Sequence, residues 1–238
     1  MKIIKKINLV LQRRKLRIKN AFLKIYYSKN KSKDKFDWNW NKSNFNRISL
    51  VNYLLSKKNK DAKYLEIGCD DNVLFNAVAC RYKIGVDPHK GGTHRMTSDN
   101  FFEKNETKFD VIFIDGLHEY SQVMKDAINS IKFLNKDGFI AFHDFLPKNW
   151  IEAHVPRLNI TWNGDIWKLA FNLIESNEID FKIILIDRGI CVLKLKKNRA
   201  KINQNSFAKE KFQYLFDNIS KLPLIDIEAG LDWIDSQN

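Results

Sequence analysis

Four short apolar runs in this sequence end in carboxylates, and the residues at their ends are those whose types and spacing could do chemistry. Tyr64-Leu-Glu-Ile-Gly68 breaks at a glycine beside Glu66, and Ile84-Gly-Val-Asp87 ends at Asp87. Phe109-Asp-Val-Ile-Phe-Ile-Asp115 ends at Asp115 with His118 three residues on, and Gly138-Phe-Ile-Ala-Phe-His-Asp144 ends at His143 and Asp144. A glycine between strand and helix lets backbone amides approach a ligand, and a carboxylate about twenty residues later can accept hydrogen bonds from a ribose diol. Imidazoles and carboxylates grouped at two tips can take a proton from a hydroxyl or hold a divalent ion.

These ends meet only if the runs pair as parallel strands, because an open parallel sheet presents its C-terminal tips along one edge, where ligands bind. The intervening sequence suits that arrangement. Ile48, Val51, Leu54 and Leu55 suggest a helix leading into the first strand, and another begins near Asn72 with Leu74, Phe75, Val78 and Ala79. Residues 122–134 place Val123, Ala127, Ile128, Ile131 and Leu134 on one helical face, ended by Asn135-Lys-Asp-Gly138. A further helix is predicted over 166–176 with Asp165 as its N-cap. Phe181 to Asp187 and Ile190 to Leu195 read as two strands around Arg188-Gly189, and polar helical segments follow near 207–219 and 229–234.

Taken in order, Glu66-Ile-Gly68, Gly85-Val-Asp87, Thr97-Ser-Asp99, Ile114-Asp-Gly-Leu-His-Glu-Tyr120, His143-Asp144 and Asn163-Gly-Asp-Ile-Trp-Lys168 resemble a class I S-adenosylmethionine-dependent methyltransferase. More narrowly, they resemble a bacterial subgroup with Asp-Gly-Leu-His after strand 4 and His-Asp after strand 5. The resemblance covers about Arg47 to Lys196. It implies an α/β, Rossmann-like, seven-stranded, mostly parallel sheet with helices on both faces and an antiparallel last strand. It implies S-adenosylmethionine as cofactor, with Glu66 and Gly68 in the cofactor turn, Glu66 near the methionine amino group, Asp87 on the ribose, Ser98 and Asp99 near the adenine, and Asp115 beside the cofactor. Ser98 equally suits a turn into the next helix. Asp70 and Asn72 stand where the family often has glycines, and Asn and Asp tolerate the left-handed backbone such a turn needs. By the same resemblance Asp115 and Asp144 are candidate ligands of a divalent ion such as Mg²⁺ or Mn²⁺, and His118 is the candidate general base. His143 replaces what is often a carboxylate, which leaves it as a third ligand, as a base without metal, or as a satisfied buried histidine. Trp167 is expected to pack, and Lys168 would meet an anionic acceptor if it faced the cleft.

Charge is unevenly spread. The chain of 238 residues carries a formal +13, but residues 1–35 hold thirteen Lys or Arg against Asp34 alone, which leaves the rest at +1. A nearly neutral body argues against a long phosphate-tracking groove. Within this basic arm Ile4, Leu11, Ile18 and Ile25 recur every seven residues as the stripe of an amphipathic helix. The stripe could lie on an anionic membrane surface or near nucleic acid; packing on the domain or on a second copy, as a homo-oligomer, is the preferred expectation. Three scattered cysteines, Cys69, Cys80 and Cys191, favour a reducing compartment, with cytoplasm as the expected location. The organisation expected is an arm over 1–35, a methyltransferase domain over 36–197 and a helical tail over 198–238. The activity expected is O-methylation of a small-molecule or glycan-type acceptor, since no Asn/Asp-Pro-Pro-aromatic run follows the fourth strand. The alternatives are an RNA or protein methyltransferase recruited by the arm, and a non-catalytic adaptor on the same fold.

Overall fold

A computed structural model of the chain describes residues 14–15, 17–197 and 200–237, with a first helix, α1, over 17–26. The stripe positions Ile4 and Leu11 lie outside the described residues.

Alternation of apolar side chains along each run decides the architecture. In β1 (Lys63–Ile67), β3 (Phe109–Ile114) and β4 (Leu134–Phe142), successive side chains point to opposite faces, and both faces are apolar. Leu65, Ile67, Ile112, Ile114, Ile140 and Phe142 join one core cluster, whereas Tyr64, Val111, Phe113, Phe139 and Ala141 join the other. Each face therefore needs a cover of helices. One is covered by α4 (Ser98–Lys104), α5 (Tyr120–Lys132) and α6 (Lys168–Ile174), the other by α2 (Arg47–Ser56), α3 (Val73–Ala77) and α8 (Ile227–Asp235). Each fully buried Leu, Ile or Phe in these layers contributes about 1.5–3 kcal/mol of transfer free energy.

Among the described residues the sheet has seven strands, in the order β2-β1-β3-β4-β6-β5-β7, with β2 (Tyr82–Val86), β5 (Ile179–Ile184), β6 (Ile190–Leu195) and β7 (Leu224–Ile225). Only β6 runs against the others, pairing antiparallel with β4 and β5. This agrees with the expected Rossmann-like α/β sheet and its antiparallel last strand. The seventh strand is β7, from the C-terminal segment, whereas the chain after β2 makes only a single parallel bridge between Val86 and His94. The segment expected as a helical tail thus contains α7 (Phe212–Asp217) and α8 but also extends the sheet.

Two expectations about helix ends are corrected. The helix expected to reach Leu134 stops at Lys132, and Leu134 already pairs with Phe109 across a register irregularity. The Asn135–Gly138 run turns inside β4, with Asp137 at φ 63°, because Leu134 is drawn into the sheet core. Asp165 does not cap its own helix; its carboxylate accepts from the amide of Tyr120 at 2.7 Å and so caps α5, while the residue before α6 makes no side-chain cap.

Candidate functional site

The tips of β1, β3 and β4 converge because these strands are immediate neighbours, Ile67 beside Ile114 and Ile114 beside Phe142. They open on a cavity of about 780 Å³ whose lining includes Glu66, Gly68, Asp115, His118, His143, Asp144, Trp162 and Asp187. Gly68, at φ 87°, packs so closely on the backbone of Asp115 and Gly116 that any Cβ would overlap the Asp115 carbonyl. Asp70 and Asn72 adopt left-handed backbone at φ 42° and 62°, as their residue types allow.

Four titratable side chains form a ring at the β3 and β4 tips. Asp115 Oδ1 lies 3.3 Å from both His118 Nε2 and His143 Nδ1, and Asp144 Oδ2 lies 3.4 Å from both His118 Nδ1 and His143 Nδ1. His118 stacks on the Trp162 ring at 5.3 Å between centroids, and its Nδ1 is 3.2 Å from the Trp162 carbonyl oxygen. Asp144 itself sits at φ 62°, a left-handed backbone that Asp tolerates, held by Asn163 Nδ2 donating to its carbonyl and carboxylate at 3.0 and 3.1 Å. Both His143 nitrogens are buried without a hydrogen bond of acceptable angle, although Nε2 also stands 3.3 Å from Asp187. These separations are charge contacts, and the ring nitrogens remain directionally unsatisfied.

Arg47 closes the cluster from the start of α2. It donates through Nη1 to Asp115 at 2.6 Å and through Nε to Asp187 at 2.8 Å. Burial disfavours the charged form of Asp115, but His143, His118 and Arg47 outweigh it and hold this carboxyl well below the usual range. Burial likewise works against charge on His118, yet its hydrogen bond to Asp115 and the charge of Asp144 raise it above an ordinary histidine. Glu66 behaves oppositely. Burial pushes it up to about 7, only partly offset by the Tyr64 hydroxyl that donates to it at 2.7 Å.

The Glu66 shift gives a stability prediction. Because the folded value lies above the unfolded one, Glu66 stabilises the fold at low pH, and the contribution is lost as pH rises through about 7. The ligand-free protein is expected to lose thermal stability relative to Glu66→Gln between about pH 5 and about pH 8. Parallel melting curves over that range would show no divergence if Glu66 titrated normally.

The structure thus brings together Glu66, Gly68, Asp115, His118, His143 and Asp144. Asp87, Ser98 and Asp99 do not line the cavity. Asp87 accepts from the amides of Asp70, His89 and Lys90 at 3.0, 2.7 and 2.8 Å, tying the glycine turn to the loop after β2. Ser98 and Asp99 both accept from Gln122, joining α4 to α5. Trp167 packs in the core as expected. Lys168 does not face the cleft: it is buried, donating to Asp165 at 2.7 Å and to the Ala208 carbonyl at 3.0 Å. Sequence reasoning passed over Arg47, Trp162 and Asp187. Asp187 carried a signal, since it ends the apolar run of β5 as the other acids end theirs.

The site's donors fit S-adenosylmethionine. A Cβ-free cradle at Gly68 beside the buried acceptor Glu66 is suited to the amino-acid end of such a ligand, and the cavity has the size of a small-molecule site. They also fit a divalent ion: Asp115, His118 and Asp144 offer ligand atoms all within 4.8 Å of one another, and the unsatisfied His143 Nδ1 lies against the same two carboxylates. Oxygen and imidazole donors together suit Mn²⁺ better than Mg²⁺.

Residues 53–145 match the family model described as "Methyltransferase domain". That match covers less than half of the chain. A protein of Acanthamoeba polyphaga mimivirus is 38% identical over 50 residues, 21% of this chain and 23% of that protein, so the chain spans less than a quarter of this relative. Among solved structures, a methyltransferase of Podospora anserina with bound S-adenosylhomocysteine is 18% identical over 63% of this chain and 78% of that one, with a TM-score of 0.45. An O-methyltransferase from Bacillus cereus is 10% identical over 75% and 90%, with a TM-score of 0.44.

Proposed function

We propose that the chain is an S-adenosylmethionine-dependent methyltransferase that methylates an oxygen of a small-molecule or glycan-type acceptor. The observation that carries this reading is the placement of His118 and Asp115 on the same cavity as Gly68 and Glu66. Methyl transfer from a sulfonium is a displacement on a donor that already holds a good leaving group. The protein must chiefly align donor and acceptor and remove the acceptor proton. In the proposal Glu66 accepts from the cofactor's ammonium group and the Gly68 turn supplies backbone amides, while Asp87, off the cavity wall, holds the amide of Asp70 and so positions that turn. His118, stacked on Trp162 and held through Nδ1 by the Trp162 carbonyl, takes the acceptor proton at Nε2. A bound sulfonium would add positive charge to this cavity, and its field would lower the His118 affinity for a proton and leave the imidazole ready as a base.

Asp115 and Asp144, with His143, would hold a divalent ion, which supplies acidification of a coordinated acceptor hydroxyl. Titration of the cofactor-free protein with Mn²⁺ is expected to show one site, weakened about tenfold or more in Asp144→Asn. Equal affinity in the two proteins would remove the metal from the proposal and leave His118 as sole activator. The function itself is tested by calorimetry with S-adenosylmethionine followed by an acceptor screen read as S-adenosylhomocysteine release. Absence of cofactor binding would overturn the proposal and leave a non-catalytic adaptor.

A further inference from the structure

The helix over residues 17–26, α1, has two apolar faces. On one, Leu23 packs against the core, as does Tyr27 just past the helix end, and Asn20 is buried. The Tyr27 ring lies 4.5 Å from that of His154, whose carbonyl accepts from Trp162 Nε1 at 2.7 Å, so α1 is fixed to the body beside the wall of the cleft. The part of the preferred expectation that packed the Ile18 and Ile25 stripe on the domain is therefore corrected: a different face does that packing. At about 3.6 residues per turn, Ile18, Phe22, Ile25 and Tyr26 fall on the opposite side. Among the described residues nothing covers them; they are 53%, 69%, 72% and 73% exposed. A helix of a soluble domain ordinarily turns such a stripe inward, and a grouped exposed stripe marks an interaction surface. Arg14 and Lys15 in the preceding turn, with Arg17, Lys19 and Lys24, flank it, and residues 14–26 contain no acid.

We infer that α1 is a docking helix that lies on an anionic bilayer surface. Its Ile18, Phe22, Ile25 and Tyr26 side chains enter the headgroup boundary while the flanking cations meet acidic headgroups. Charge decides between occupants. Two copies joined through this stripe would set five cations against five, and a nucleic acid would satisfy the cations but leave four large apolar side chains against a polar backbone. An acidic lipid surface matches both features at once. No described helix is long and apolar enough to cross a membrane, so the association is with the surface. The inference stands apart from the methyl-transfer reading.

The test is flotation of the full chain with phosphatidylcholine vesicles with and without phosphatidylglycerol. Binding is expected to the acidic vesicles, at least about tenfold weaker to the neutral ones, and reduced by high salt. Phe22→Glu with Ile25→Glu should reduce acidic-vesicle binding by about tenfold or more without changing the melting temperature, since both side chains stand in solvent. Lys19→Glu with Lys24→Glu should do the same by reversing charge while leaving the apolar stripe intact. The inference is overturned if the Phe22/Ile25 variant floats as the parent does, if sedimentation shows a dimer that this variant dissolves, or if the chain binds RNA and no vesicle.

Discussion

Replacing His118 by alanine is expected to lower turnover about 10²- to 10⁴-fold, the range a positioned general base contributes. Affinity for S-adenosylmethionine should stay within about twofold, because His118 touches Asp115, Asp144 and Trp162 and is proposed to act on the acceptor alone. The measurement pairs calorimetric cofactor binding with single-turnover release of S-adenosylhomocysteine. A base acting only at the chemical step lowers the rate of that turnover and spares the binding isotherm. If turnover survives in His118→Ala while the cofactor still binds, the imidazole is a structural spacer between two carboxylates, and proton removal belongs to His143 or to solvent.

The second large effect is expected at Gly68. Its φ of 87° lies where side chains are strained, and a Cβ would meet the Asp115 carbonyl, the Asp115 carbon and Gly116 together, all of them backbone. Neither strand tip can yield without breaking the hydrogen bond from the Asp115 amide to the Ile67 carbonyl at 2.8 Å. Gly68→Ala should therefore cost about 3–5 kcal/mol of stability or prevent folding. Any folded fraction should bind S-adenosylmethionine weakly, because the turn proposed to present amides to the cofactor is displaced. Thermal melting and calorimetry distinguish the outcomes. A variant with the parent's melting temperature and affinity would mean that the β1 and β3 tips are looser than their packing indicates. Tyr64→Phe is a milder control at the same strand, removing only the hydroxyl that donates to Glu66 and so raising the Glu66 value further.

The amino-acid sequence by itself determined the sheet and the edge on which the candidate site lies. Alternating apolar residues between an initial and a terminal polar residue can be buried on both faces only as a central strand, so the runs ending at Ile67, Ile114 and Phe142 had one stable fate, and the acids and histidines after them had to emerge at one edge. Local chemistry likewise allowed the left-handed turn at Asp70 and Asn72 that the structure shows.

What only the tertiary structure decided are the partners that chain separation hides. Arg47 meets Asp115 across 68 residues and Asp187 across 140, and nothing in its neighbourhood marks it as the cation that balances the cluster. Asp165 caps a helix 45 residues earlier because the chain after the β4 tip folds back over α5, and that same fold-back buries Lys168. The face of α1 that packs was also undecidable from periodicity, since the helix carries apolar residues on two sides and the choice depends on which of them Tyr27 and His154 draw toward the body. Periodicity reports that a face is apolar; only the shape of the surface opposite it settles which face is buried.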